Sequence, residues 1–162
     1  MRLNISKMSE ADALKILFWT YFPPYDWYNL EGCDECLDEL LKEYYYACKT
    51  EEGHLIGFFC YDCAAQVSGG KDKGFYQDVD YLDIGLGMHP LYCGKGLGEE
   101  FLREGMRFGQ NVYRKKNFRL TVATLNERAI RVYERVGFQK KAIFHCEFGS
   151  SKTTFSIMTC EL

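Results

Sequence analysis

Proline is scarce: Pro23, Pro24 and Pro90 are the only three in 162 residues, so segment boundaries must be read from hydrophobic pattern instead. No apolar run approaches the roughly 18 to 20 residues of a membrane span, and Met1 to Lys7 lacks the apolar core of a secretory leader. A cytoplasmic protein that engages no membrane is the expectation. Positive charge is not in surplus either. With 20 Lys and Arg against 23 Asp and Glu, the net charge of -3 leaves no general grip on a phosphate backbone, and no nucleic acid partner is expected. Repeats and low-complexity runs are absent, which excludes solenoids and disorder. Histidine is limited to His54, His89 and His145, scattered without ligand spacing, and all three read as ordinary polar residues.

What is present is the material of a globular core, 47% apolar and 16% aromatic. A chain of this length hides roughly 70% of its unfolded surface without staples, so a single domain over residues 1–162 is the economical expectation. Eight cysteines in a reducing compartment are thiols, small buried groups or metal ligands. Cys33-Asp34-Glu35-Cys36 and Cys60-Tyr61-Asp62-Cys63 have nearly the spacing of a zinc ribbon, which raises a zinc-stabilised interaction module as one alternative. Context opposes it: Phe58 to Val67 reads as a continuous strand, where residues three apart face opposite sides, and Tyr61-Asp62 is a poor turn. No metal is expected.

The pattern alternates strands and helices in a mixed α/β class. Leu3, Ile5 and Met8 suggest a first strand, and Ser9 with Asp12 forms an N-cap ahead of a helix stopped by Pro23-Pro24. A second, acidic helix runs from Asp34 to Glu43. Tyr44 to Cys48 and Leu55 to Val67 read as a hairpin, and Ser68 to Gly74 as a polar, glycine-rich loop. Tyr81 to Met88 is a strand, followed by the loop Cys93-Gly94-Lys95-Gly96-Leu97-Gly98 and a helix carrying Phe101, Leu102, Met106 and Phe108. Phe118 to Leu125 is a strand, Asn126 caps a helix through Arg135 that Gly137 closes, and strands at Ala142 to Phe148 and Thr153 to Thr159 end the chain.

Glycines at 94, 96 and 98 between a strand and a helix let backbone N–H groups crowd around one anion, with the helix dipole behind them. That is a phosphate or pyrophosphate cradle, unless it is merely a glycine-rich helix entry. It is no Walker A loop, since His89 stands where the first glycine should be and Gly96 follows Gly94-Lys95. It is no Rossmann fingerprint, since Gly85-Leu86-Gly87 continues into Met88, His89 and Pro90. On the strand itself, alternation places Leu82, Ile84, Leu86 and Met88 on one face and Asp83, Gly85 and Gly87 on a nearly bare second face. Glycines there mark close approach of a ligand or of another backbone. Asp83, on that face unless a β-bulge turns it the other way, is either an acceptor for an amine proton, directly or through water, or an exposed surface acid.

Pro90 to Gly98 resembles the acyl-CoA loop of the GNAT superfamily of N-acyltransferases, Q/R-x-x-G-x-G/A, with Cys93 at the Gln/Arg position. Asn126 to Phe138 resembles the family's N-x-x-A-x-x-x-Y-x-x-x-G-F helix and turn. The resemblance implies a central, mostly antiparallel twisted sheet of about seven strands flanked by about four helices. It implies transfer of an acetyl group from acetyl-CoA, as co-substrate, to a primary amine of a small molecule or peptide, by direct attack in a ternary complex. It puts Tyr133 at the general acid's position, where a phenol can protonate coenzyme A sulfur, although Tyr133 alone is equally a helix aromatic. It puts Gly87 and Met88 on the pantetheine arm, Cys93, Gly94, Lys95, Gly96, Leu97 and Gly98 around the pyrophosphate, and Asn126 on the acyl-CoA side. Asn126 is otherwise simply an N-cap, and one side chain serves one of these roles well. Arg128 and Arg131 are weaker phosphate candidates. The acidic run Glu31, Asp34, Glu35, Asp38 and Glu39 would attract a cationic amine or is only a solvated helix face. Tyr21 to Tyr28, with Trp19 and Trp27, is core and lid packing, in a loop that commonly walls the family's acceptor site. The family is often dimeric, so a homodimer is a candidate assembly. The rival to an enzyme is a non-catalytic acyl-CoA-binding sensor that keeps the cradle and lacks an acceptor site.

Overall fold

A computed structural model of the chain describes residues 2–148 and 150–162. Met1, the first residue of the segment tested above for a leader, lies outside the described residues. The strands are β1 (Leu3–Lys7), β2 (Tyr45–Thr50), β3 (Leu55–Tyr61), β4 (Tyr81–Met88), β5 (Asn117–Ala123), β6 (Gln139–Phe148) and β7 (Ser151–Cys160). The helices are α1 (Glu10–Leu17), α2 (Asp34–Leu40), α3 (Ser68–Asp72), α4 (Gly98–Tyr113) and α5 (Glu127–Val136). Strand order is β1-β2-β3-β4-β5-β7-β6, with β4 and β5 parallel. Among the described residues no helix is long and apolar enough to cross a membrane.

Packing divides the chain into two compact units, Met1–Cys60 with Leu86–Leu97, and Tyr61–Gly85 with Gly98–Leu162. In the first, β1 runs antiparallel to β2 with Ile5 opposite Cys48, and β2 antiparallel to β3 with Ala47 opposite Phe58. The Ser9 side chain accepts from the Asp12 N–H at 3.1 Å, the cap its sequence announces, and Ala13, Ile16 and Leu17 of α1 are buried. Asp12 is buried too, and its carboxylate meets the Lys49 ammonium at 2.9 Å.

In the second unit β5 is the organising strand. It runs parallel to β4 with Leu82 opposite Phe118, and antiparallel to β7, which pairs antiparallel with β6. Its alternation gives two buried faces. One carries Phe118 and packs on α4, where Gly109 lies so close that an added Cβ would stand 3.0 Å from Leu82 and Tyr61 and 3.2 Å from Phe118. The other carries Ala123 in a cluster with Phe144, Phe155 and Ile157, against which Val67, Phe75 and Tyr76 pack.

Four boundaries depart from expectation, each for a local reason. β3 stops at Tyr61, because Asp62 takes a left-handed φ of 58° and turns the chain into a 3-10 turn over Asp62–Ala65. Aspartate tolerates that conformation, so Tyr61-Asp62 is a better turn than its lack of glycine or proline suggests, and no continuous strand reaches Val67. Ser68 to Asp72, read as loop, is the short helix α3. Its low propensity is overridden by packing: a Cβ on Gly69 would meet Cys146 Sγ at 2.9 Å, and one on Gly70 would meet Tyr76 at 2.9 Å. α2 ends at Leu40 rather than Glu43, since Tyr44 has φ 82° and β2 begins at Tyr45. α1 ends at Leu17, well before Pro23, so the prolines do not stop it.

Gly109→Ala tests the α4 contact. Helix propensity alone would gain about 1 kcal/mol, but Leu82, Tyr61 and Phe118 are fully buried and have nowhere to yield. Net destabilisation of about 1–2 kcal/mol by urea unfolding is expected.

Candidate active site

The end of β4 is built within the first unit. A Cβ on Gly87 would lie 2.3 Å from the Phe58 ring of β3, so the bare face at this position is filled by an aromatic ring. The Met88 carbonyl, expected on the pantetheine path, accepts the Tyr21 hydroxyl at 2.7 Å and lies 3.6 Å from Cys93 Sγ. The His89 N–H donates to Ile56 O at 2.8 Å and its Nδ1 accepts from the Leu91 N–H, capping the 3-10 turn over Pro90–Tyr92. Its ring sits 4.9 Å from Trp19, which in turn faces Phe58. Cys93 Sγ also reaches His89 O at 3.6 Å, so the thiol at the Gln/Arg position tethers the start of the loop to its own upstream turn.

The loop then takes the geometry its glycines allow. Gly94 and Gly96 have φ of 71° and 76°, left-handed positions on either side of Lys95, and a Cβ on Gly96 would meet nothing within 4 Å. Successive N–H groups in such a chain can face one concavity, and nothing in the first unit fills the space beside Gly96. Gly94, Lys95 and Gly96 are exposed and Leu97 half-buried.

Gly98 begins α4 in the second unit. A Cβ there would meet Val132 of α5 at 3.1 Å, so the first turn of α4 lies against α5 one residue before Tyr133. Asn126 Oδ1 accepts from the Ala129 N–H at 3.2 Å, the N-cap of α5, and Gly137 closes the helix at φ 120°. Tyr133 is 8% exposed, its ring 6.2 Å from Phe138. Arg128 and Arg131 are exposed, and Arg131 pairs with Glu127 on the same helix.

Asp83 is not an exposed surface acid: it is 3% exposed on the face of Arg119, itself 4% exposed. Arg119 Nε donates to Oδ1 at 2.6 Å and Nη2 to Oδ2 at 2.8 Å, while Gln66 Nε2 donates to Oδ2 at 2.9 Å. The strand face read as nearly bare carries a buried ion pair at this position.

A model of the acetyltransferase (GNAT) family matches residues 11–138. The chain belongs to that family. It is an acyltransferase, and acetyl-CoA is the family's co-substrate. The chain is 29% identical over 113 residues to a Bacillus subtilis (strain 168) protein named spermine/spermidine N(1)-acetyltransferase, covering 68% of this chain and 70% of that one. Its fold is that of a GNAT-family acetyltransferase from Bacillus anthracis, at TM-score 0.71 and 16% identity over 99% of this chain and 95% of the other. A spermidine N-acetyltransferase chimera from Vibrio cholerae and hSSAT matches at TM-score 0.70 and 14% identity over 99% and 96%.

Among the described residues of this GNAT chain, no three His, Cys, Asp or Glu side chains gather to hold a metal. Cys33 instead caps α2, its Sγ accepting from the Cys36 N–H at 3.3 Å. Burial first, then the hydrogen bond to Cys33, pushes the Cys36 thiol up to about 11, so it stays protonated at neutral pH and is a poor ligand or nucleophile.

Residues that sequence reasoning passed over are Arg119, Gln66 and Tyr76, and His89, read as an ordinary polar residue, has a structural part. Burial lowers the His89 pKa below its ordinary 6.5, so the ring is neutral at pH 7 and Nδ1 is free to accept from Leu91. The unfolded chain binds a proton at His89 more readily than the folded one, so this contribution is complete above about pH 6.5 and is lost as pH falls below it. In thermal melts, wild type should lose more stability between pH 7 and pH 5.5 than His89→Asn, which keeps a capping acceptor without titrating.

Proposed function

We propose that the protein moves the acetyl group of acetyl-CoA to a primary amine of a small polyamine, by direct attack while both substrates are bound. The observation that carries this reading is the left-handed pair Gly94 and Gly96, flanking Lys95 and running straight into α4. Bound acetyl-CoA supplies a thioester carbonyl and a thiolate leaving group. The loop N–H groups offer donors to pyrophosphate oxygens, and the exposed Lys95 ammonium adds positive charge. Any side chain at Gly96 would project into that open space.

As the amine nitrogen bonds to the thioester carbon and the C–S bond breaks, the neutral Tyr133 phenol donates its proton to the departing sulfur and the proton shed by the amine passes to solvent water. Asn126 acts through the helix: its Oδ1 serves the cap, which fixes the first turn of α5 and so the direction of Tyr133. Gly87 and Met88 position the acyl arm through the main chain, with Tyr21 holding the Met88 carbonyl in place. A polyamine is favoured over a peptide amine by the activity for which the Bacillus subtilis relative is named and by the exposed carboxylates of Glu31, Asp34, Glu35 and Asp38, which raise the local concentration of a polycation.

Two variants separate binding from chemistry. Gly96→Glu, strained at positive φ and placing a carboxylate in the cradle, should abolish the thermal stabilisation that acetyl-CoA gives the wild type. Tyr133→Phe should keep that stabilisation while turnover on spermidine or spermine falls about 100-fold. Undiminished turnover in Tyr133→Phe removes its role as acid, and stabilisation without turnover on any amine points to an acyl-CoA sensor.

A further inference from the structure

Asp83 and Arg119 form a buried ion pair in the second unit, and their place in the strands is specific. The register of β4 on β5 runs Tyr81 on Asn117, Leu82 on Phe118 and Asp83 on Arg119. The pair therefore stands on the last rung before β4 continues through Gly85 to Gly87, Met88 and the glycine loop. The guanidinium also fixes how β4 begins. Nη2 donates to Tyr76 O and Nη1 to Asp78 O, both at 3.3 Å, and the rings of Tyr76 and Tyr81 lie 5.3 and 5.7 Å from its centre. The Tyr76 hydroxyl in turn accepts from the Val67 N–H at 3.2 Å and shares a 2.6 Å hydrogen bond with Thr121 of β5.

A proton acceptor must present a lone pair to its substrate. The side chain of Asp83 is 4% exposed, and its two oxygens already take three hydrogen bonds from Arg119 and Gln66. A buried ion pair is in itself weak for stability, since apolar replacements of similar size often do as well. What it supplies is direction, because a bidentate fork tolerates few alternative geometries. Resting on the acetyl-transfer reading above, we infer that Asp83 and Arg119 are positioning residues. They clamp the last rung that β4 shares with β5 and thereby set the strand that carries the acyl-CoA contacts, and Asp83 does not take the amine proton.

Steady-state kinetics of the full chain against acetyl-CoA and spermidine across pH 6 to 10 test this, with wild type, Asp83→Asn, Arg119→Lys and the double variant Asp83→Leu with Arg119→Met. Both single variants should raise the KM for acetyl-CoA about tenfold, with a smaller fall in kcat and with the acidic limb of the pH profile kept. The double variant should regain wild-type thermal stability, because no orphaned charge remains, while its KM stays high. It keeps the test open should a single variant not fold. Loss of the acidic limb with kcat down about 100-fold or more at unchanged KM would make Asp83 the base and overturn the inference. A double variant with wild-type KM would also overturn it, by reducing the pair to a filler of the interior. A wild type that neither binds nor turns over acetyl-CoA would instead fail the acetyl-transfer reading, and the inference with it, before any variant is compared.

Discussion

A carboxylate and a guanidinium leave water at a cost of several kcal/mol each, which mutual attraction offsets only when their remaining donors and acceptors are also met. Arg119 and Asp83 come close to that condition, through two hydrogen bonds to each other, one from Gln66, and the carbonyls of Tyr76 and Asp78. Those partners come from four separate stretches: the turn after β3, the loop before β4, β4 and β5. Once the pair is buried, its unmet protons would be costly, so each of these stretches is held in one conformation. The short helix α3 follows, since Val67, its N-terminal neighbour, donates to the Tyr76 hydroxyl, and its glycines can then lie on β6.

The two halves of the proposed chemistry use different parts of the chain. Phosphate and pantetheine recognition is main-chain work, requiring glycine where a left-handed φ or a close ring demands it and little else in the way of side chains. Gly94 and Gly96 satisfy the first demand, and Gly87 beneath Phe58 the second. The fold itself recurs in solved structures at about 15% identity. Acceptor recognition belongs to side chains on irregular segments, where similar folds diverge.

What was legible in the sequence was local. α5 is marked by a cap, a 3.6-residue period and a closing glycine within one short window, and its observed limits sit where those signals put them. β4 and the glycine loop were equally readable, because alternation and positive-φ glycines leave their trace in neighbouring residues. What was not legible depends on separation in sequence. Arg119 looks like any polar residue of a half-exposed strand until the loop before β4 is brought over it. Tyr21 meets the Met88 carbonyl across 67 positions, a pairing no periodicity encodes. Gly69 and Gly70 signal a loop by propensity and support a helix by packing, so the local rule pointed the wrong way.

The two readings of Asp83, proton acceptor or exposed acid, bear on how a carboxylate on a strand should be weighed, and burial removes the second. Alternation correctly put it on the face of Gly85 and Gly87, and a face with two glycines looks open to substrate. Openness, however, is a property of what lies across from a face. Across from Gly87 lies Phe58, and across from Asp83 lie Arg119 and Gln66. The glycines there admit a neighbour's bulk, and the aspartate meets a neighbour's charge. A candidate base on such a strand is therefore judged by the cations beside it before its distance from the chemistry, because a carboxylate satisfied by a buried fork has little left to offer an incoming proton.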